Sequence, residues 1–299
     1  MLQTAMRLSG TYTALITPFR DGAIDVRAFQ ALIERQIAGG VDGIIPCGTT
    51  GESPTLDTEE HHEVIRLAVQ FAAGRCAVIA GSGANATSEA VALTAAAENL
   101  GATGSLQVCP YYNKPSQQGL YLHFKAIAEA TRLPVMLYNV PGRSVIEIMP
   151  ETVARLAADC PNIVALKEAG GSVDRVNQLV QVLPEDFAVL CGDDPLTLPF
   201  IACGASGLVS VTSNLIPDVI ARLVRACLNG SFDEALVLQK QYYPLMRGLM
   251  SLDVNPVPIK TAVALQGHCT PDLRLPLAPM DAASTAKLTA LLESYNLLT

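Results

Sequence analysis

Lys167 closes the short apolar run Ile163, Val164, Ala165 and Leu166, with Glu168 beside it and Gly170-Gly171 following. Such a run reads as a strand buried on both faces, and an ammonium there is costly unless it is paired or gives up its proton. Adjacent strand residues point to opposite faces, so Glu168 is poorly placed to neutralise its neighbour. Burial then disfavours the charged form, which leaves a nucleophilic amine able to attack a ketone or aldehyde. The resulting Schiff base acts as an electron sink for carbanion chemistry.

Other groups able to serve such a reaction fall in turn-like segments. Tyr138, Tyr111 and Tyr112 offer hydroxyls that can pass protons, and Thr49 and Thr50 in "GTTGES" (48–53) offer hydroxyls and backbone N–H groups. The glycines of that loop let amides converge on a carboxylate, as anion nests do. Arg143, in a Pro-Gly turn, could hold a second carboxylate bidentately or be a solvated surface arginine. Singly, each of these is as well explained as a packed or capping residue. No His or Cys pairing suggests a hydrolase triad, and no carboxylate and histidine cluster suggests a metal.

What places these groups together is a repeat. Eight apolar runs follow one another, each trailed by a segment of helical period: 11–17, 43–47, 76–81, 105–110, 134–139, 163–167, 187–192 and 207–212. "DVRAFQALIERQIAGG" (25–40) and "TSEAVALTAAAENLGA" (87–102) open on capping-type residues, Thr87 and Ser88 in the second, and close near glycine. Eight strand-helix units predict an α/β fold, a (β/α)8 TIM barrel, with reactive groups at the C-terminal strand ends. A doubly wound open sheet would need a glycine-rich phosphate loop after its first strand, and "LITPFRDG" is not one. The expected division is a catalytic barrel over 1–225 and a small C-terminal helical extension over 226–299, with no low-complexity linker between them.

The 299 residues are 50% hydrophobic and only 16% charged, a composition that builds a large core. A net charge of −8 argues against nucleic acid or an anionic membrane surface as the main partner. The eight cysteines include Cys47, Cys76, Cys109, Cys160, Cys191 and Cys203, scattered among apolar runs without a CxxC pair or zinc spacing. Reduced buried thiols are the better reading, which suits a cytoplasmic protein. "MLQTAMRLSG" is too short and polar for a signal peptide, and no run approaches a membrane span.

In order, "GTTGES", "PYYNKPSQQGL", "YNVPGRS", "IVALKEAG", "CGDD" and "GLVSVTSN" resemble the dihydrodipicolinate synthase branch of the pyruvate-dependent class I aldolase superfamily. The resemblance extends from "ALITPF" (14–19) to "NPVPIK" (255–260) and "LRLPLAPM" (273–280). It implies Lys167 as the Schiff-base lysine for pyruvate and Tyr138 as the general acid/base. Thr50 and Tyr112 would complete a proton relay, Tyr112 reaching across from a neighbouring subunit. The amides of Thr49 and Thr50 would hold the pyruvate carboxylate, and Arg143 the carboxylate of L-aspartate 4-semialdehyde. Gly192 and Val209 would line the pyruvate pocket through backbone groups.

The implied product is 4-hydroxy-tetrahydrodipicolinate, the first committed intermediate toward diaminopimelate and lysine. No metal or organic cofactor is implied, and the implied assembly is a homotetramer, a dimer of dimers. Ser144 stands where the family more often has threonine. Ser53, His61, Asn85, Glu89 and Tyr111 match a lysine-inhibitor site of the family, whereas Pro54 and Thr58 depart from it, so feedback by L-lysine with altered affinity is expected. Sugar-acid aldolases and N-acetylneuraminate lyase share the lysine and the tyrosine, and a pyruvate-binding barrel without activity is the alternative of a different class.

Overall fold

The computed structural model describes residues 8–298, so most of the N-terminal stretch "MLQTAMRLSG" lies outside the described residues. All eight apolar runs become strands: β1 (Gly10–Ala14), β2 (Gly43–Ile45), β3 (Ala77–Gly81), β4 (Gly104–Val108), β5 (Val135–Asn139), β6 (Ile163–Glu168), β7 (Ala188–Cys191) and β8 (Gly207–Ser210). They are parallel and close into a barrel, β8 returning to β1 with Gly10 opposite Gly207. That seam tolerates nothing larger than glycine, because a Cβ on Gly207 would lie 2.2 Å from the Gly10 carbonyl oxygen.

The connecting helices are α1 (Val26–Ala38), α2 (Thr58–Ala72), α3 (Thr87–Asn99), α4 (Gln117–Glu129), α5 (Pro150–Asp159), α6 (Val173–Val182), α7 (Thr197–Ala202) and α8 (Pro217–Leu228). Helix α1 shows why they form. Asp25 accepts a hydrogen bond from the Ala28 amide at its start, Gly39 follows its end, and Phe29, Leu32, Ile33 and Gln36 make one buried stripe. Helix α3 departs from the expected capping, since it begins at Thr87 with no side-chain cap. The Thr87 hydroxyl is instead bonded to His123 Nδ1 at 2.9 Å. A hairpin, Phe19–Arg20 with Ala23–Ile24, sits in the first loop and was not expected. Only two residues long on each side, its strands carry too little alternation to be read.

Beyond the barrel come α9 (Phe232–Ser251), α10 (Val257–Leu265) and α11 (Ala282–Ser294). One buried cluster runs through Leu223 of α8, Leu245 and Leu249 of α9, Ile259 of α10 and Leu288 of α11. Position 225, the expected boundary, lies inside α8. No described helix is long and apolar enough to cross a membrane.

The extension is tied to the barrel by a charge pair. Lys260 Nζ lies 2.5 Å from Glu52 Oε1, and both side chains are fully buried. Glu52 Oε2 also accepts the Arg274 amide at 3.1 Å, and Lys260 Nζ lies 4.1 Å from the centre of the Phe19 ring. Burial pulls the lysine below its ordinary pKa, and Glu52 opposes that pull. Removing one partner strands the other charge in the interior. Lys260→Met is therefore expected to cost about 3–5 kcal/mol, and the double variant Glu52→Leu/Lys260→Met to recover most of it. Denaturant unfolding of the three proteins checks both expectations.

Candidate active site

Strand alternation divides the two charges of β6. Ala165 belongs to the cluster inside the barrel, whereas Leu166 packs with the surrounding helices. By the same alternation Lys167 turns inward and Glu168 outward. Lys167 pairs in register with Tyr138 on β5 and Leu190 on β7. It is 6% exposed, and its Nζ stands 4.2 Å from the centre of the Tyr138 ring. It makes no ion pair among the described residues.

Glu168 is committed elsewhere. Its carboxylate accepts from Arg175 Nε at 2.7 Å, from Asn139 Nδ2 at 3.0 Å and from the Gly170 amide at 2.6 Å. Arg175 also donates to the Ile148 carbonyl and lies 3.3 Å from Glu147. The alternation rule shows in the sequence that Glu168 leaves the lysine alone. Its partner does not show there, because Arg175 is one helical arginine among several.

Gly192 follows β7 and is pressed against the lysine. A Cβ there would lie 3.1 Å from Lys167 Cε and 2.7 Å from Ala169 Cβ, and the Gly192 amide donates to the Glu168 carbonyl at 2.7 Å. Val209 is buried on β8 opposite Tyr12, in the same interior cluster as Tyr138 and Leu190.

A cavity of about 380 Å³ is lined by Thr49, Tyr138 and Arg143 together with Ser53, His61, Glu89 and Tyr111. The "GTTGES" segment folds back on itself, with Gly51 N to Gly48 O at 3.1 Å and Glu52 N to Thr49 O at 3.1 Å. Thr17 Oγ1 donates to the Gly51 carbonyl at 2.7 Å. The amides of Thr49 and Thr50 donate to no acceptor among the described residues, as a carboxylate-binding loop requires.

The two threonines part company. Thr49 lines the cavity with Tyr138. The Thr50 hydroxyl is buried and accepts from Asn255 Nδ2 at 3.0 Å, so it is turned toward the C-terminal extension. Arg143 lies in a one-turn helix, Pro141–Ser144, where a turn was expected, and donates from Nη2 to the Asn255 carbonyl at 2.9 Å. The Ser144 hydroxyl is spent locally on the carbonyls of Val140 and Ile146, at 3.1 and 2.8 Å.

Tyr112 stands outside its own chain's cavity, 89% exposed and at φ +75°. A side chain at positive φ is uncommon and clusters at functional sites. Tyr111 lines the cavity, its phenol pushed up by burial and by the Glu89 carboxylate. Asn85 supports that wall from behind, donating to the Tyr111 carbonyl at 3.2 Å. His61 is buried, with Nε2 at 2.9 Å from the Gly81 carbonyl oxygen, and burial lowers its pKa. It therefore presents a neutral ring at pH 7. Pro54 and Thr58 line the same cavity. No group of three or more His, Cys, Asp or Glu side chains among the described residues is placed to hold a metal.

Sequence comparison agrees with this geometry. A sequence model described as the Dihydrodipicolinate synthetase family matches residues 7–295. The chain belongs to that family. It is 49% identical to the 4-hydroxy-tetrahydrodipicolinate synthase of Persephonella marina, over 97% of this chain and 99% of the relative. The crystal structure of dihydrodipicolinate synthase from Aquifex aeolicus superposes with a TM-score of 0.96 at 48% identity, covering 97% of this chain and 99% of that one. The enzyme from Cyanidioschyzon merolae, solved with lysine bound, gives 0.94 at 41%, over 97% and 99%.

Five positions went unassigned in the sequence: Asn139, Arg175, Glu52, Asn255 and Lys260. Four of them lie inside quoted motifs, "GTTGES" for Glu52, "YNVPGRS" for Asn139 and "NPVPIK" for Asn255 and Lys260, but only the folded contacts give them work. The close fit at Gly192 yields a prediction. Gly192→Ala should displace the lysine by a fraction of an ångström or more and slow the reaction by about 100-fold. Steady-state rates alongside a melting curve will distinguish this displacement from unfolding.

Proposed function

We propose that this chain condenses pyruvate with L-aspartate 4-semialdehyde to give 4-hydroxy-tetrahydrodipicolinate, the committed step toward diaminopimelate and lysine. The observation that carries the reading is the buried Lys167 amine, without an acidic partner among the described residues and set against the Tyr138 ring. The amine attacks the pyruvate ketone, and loss of water gives an imine. Loss of a C3 proton then makes an enamine, whose carbon attacks the aldehyde carbon of the second substrate. Attack of that substrate's amine on the imine carbon closes the ring and releases Lys167.

Tyr138 is suited to pass the protons of these steps. Its position on the cavity wall beside Thr49 favours Thr49 over Thr50 as the relay hydroxyl. Thr50 then contributes its backbone amide, with that of Thr49, to the pyruvate carboxylate. The exposure of Tyr112 supports its service to a second subunit, and with it a tetramer of the dimer-of-dimers kind. Arg143 serves the carboxylate of the aldehyde substrate, while Gly192 and Val209 complete the pyruvate end.

L-lysine is the proposed feedback inhibitor, held by Ser53, His61, Glu89 and Tyr111 of the cavity wall, with Asn85 bonded to the Tyr111 carbonyl. A neutral His61 beside the Glu89 carboxylate suits an ammonium ligand, and the lysine-bound relative supports the same reading.

Incubation with pyruvate and borohydride, followed by intact mass, is expected to show one reduced pyruvate adduct per chain in the wild type and none in Lys167→Ala. An adduct together with turnover of a sugar aldehyde but not of aspartate semialdehyde would move the assignment to a sugar-acid aldolase. Absence of an adduct from both proteins would refute the imine mechanism. Lysine titration of the condensation is expected to lower its rate, and Glu89→Ala to weaken the inhibition at least about tenfold, as loss of a charge-assisted contact does. A flat response at millimolar lysine would remove the inhibitor site.

A further inference from the structure

The two groups assigned to substrate carboxylates come from different barrel loops, after β2 and after β5, and both meet one residue of the C-terminal extension. Asn255 donates from Nδ2 to Thr50 Oγ1 at 3.0 Å, across 205 residues of sequence, and its carbonyl accepts from Arg143 Nη2 at 2.9 Å. Asn255 is 8% exposed, and its Oδ1 has no hydrogen-bond partner among the described residues. The side chain does not cap the following helix α10, whose first turn follows Pro256 without a side-chain cap. Its only hydrogen bond among the described residues is the one to Thr50. A buried amide kept for one contact is accounted for by that contact.

We infer that Asn255 is a positioning residue, which fixes the Thr49–Thr50 amides through the Thr50 hydroxyl and sets Arg143 at a fixed spacing from them through its own carbonyl. The inference rests on the reaction proposed above. The Thr50 hydroxyl is buried, so rotation of the loop away from Asn255 would leave two polar groups unpaired. The loop is thus held with its amides unspent, and the groups for two carboxylates are referenced to one residue rather than to each other. The neighbouring Glu52–Lys260 pair anchors the end of the same loop to the same segment, five residues along from Asn255.

The test is the pyruvate concentration that gives half-maximal borohydride-trapped adduct, read by intact mass, with steady-state kinetics for both substrates. Asn255→Ala is expected to raise the half-saturating pyruvate concentration about tenfold, the consequence of losing one buried hydrogen bond and stranding its partner. Adduct yield at saturating pyruvate should remain that of the wild type. KM for aspartate semialdehyde should move less, because the backbone carbonyl that holds Arg143 is retained. Thr50→Val should reproduce the pyruvate effect, Thr50→Ser, which keeps the hydroxyl, should lose less than Thr50→Val, and Asn255→Ala/Thr50→Val should lose no more than either single variant.

A wild-type half-saturation value in a folded Asn255→Ala protein, or losses that add in the double variant, would overturn the inference while leaving the imine chemistry intact. If Asn255→Ala fails to fold, the two Thr50 variants decide alone, since equal half-saturation in Val and Ser would overturn it. Failure of the wild type itself to form an adduct would remove the reaction and the inference together.

Discussion

The Glu52–Lys260 pair is the constraint on which the rest of the site leans. Two opposite charges held 2.5 Å apart without solvent bind strongly only if both stay where they are, because either one alone would be a severe liability. Glu52 sits at φ +56° at the end of the loop that presents Thr49 and Thr50. Its carboxylate is held by Lys260 on one oxygen and by the Arg274 amide on the other. A glycine-rich loop is conformationally permissive, which lets amides converge but also lets them wander. The buried charge removes that freedom without using the amides themselves.

A second economy of charge operates on β6. Lysine and glutamate stand side by side on this strand, and the alternation sends them to different layers. The outward glutamate is satisfied by Arg175, Asn139 and the Gly170 amide, so it exerts its demand on the helix layer. The inward amine is left against an aromatic face and a glycine. No carboxylate holds it, so it is free to meet a carbonyl carbon.

Much of this was legible in the sequence, for identifiable reasons. The eight strands could be read because each is an apolar run buried on both faces, and the (β/α)8 closure followed from their number. Lys167 could be read because a charged residue at the end of such a run has no ordinary explanation. The hairpin at 19–24 could not, since each of its strands spans a single period of strand alternation. The different settings of Thr49 and Thr50 were also beyond reach, for neighbouring residues of the same type in a loop have no alternation rule to separate them. The partners Arg175, Asn255 and Lys260 are invisible for a third reason: a contact between distant residues leaves no local periodicity in either of them.

The distance along the chain between the loop and its supports sets an order of events during synthesis. Thr50 and Glu52 precede Asn255 and Lys260 by 205 and 208 residues, and Arg274 lies 222 beyond Glu52. At typical ribosomal rates the loop therefore leaves the exit tunnel about 10–40 s before the lysine that neutralises its carboxylate. Throughout that interval the barrel strands can pair while Glu52 stays hydrated and the loop unanchored. The reactive amine is thus translated before the segment that anchors the carboxylate loop, and that loop gains its supports only as the last quarter of the chain docks.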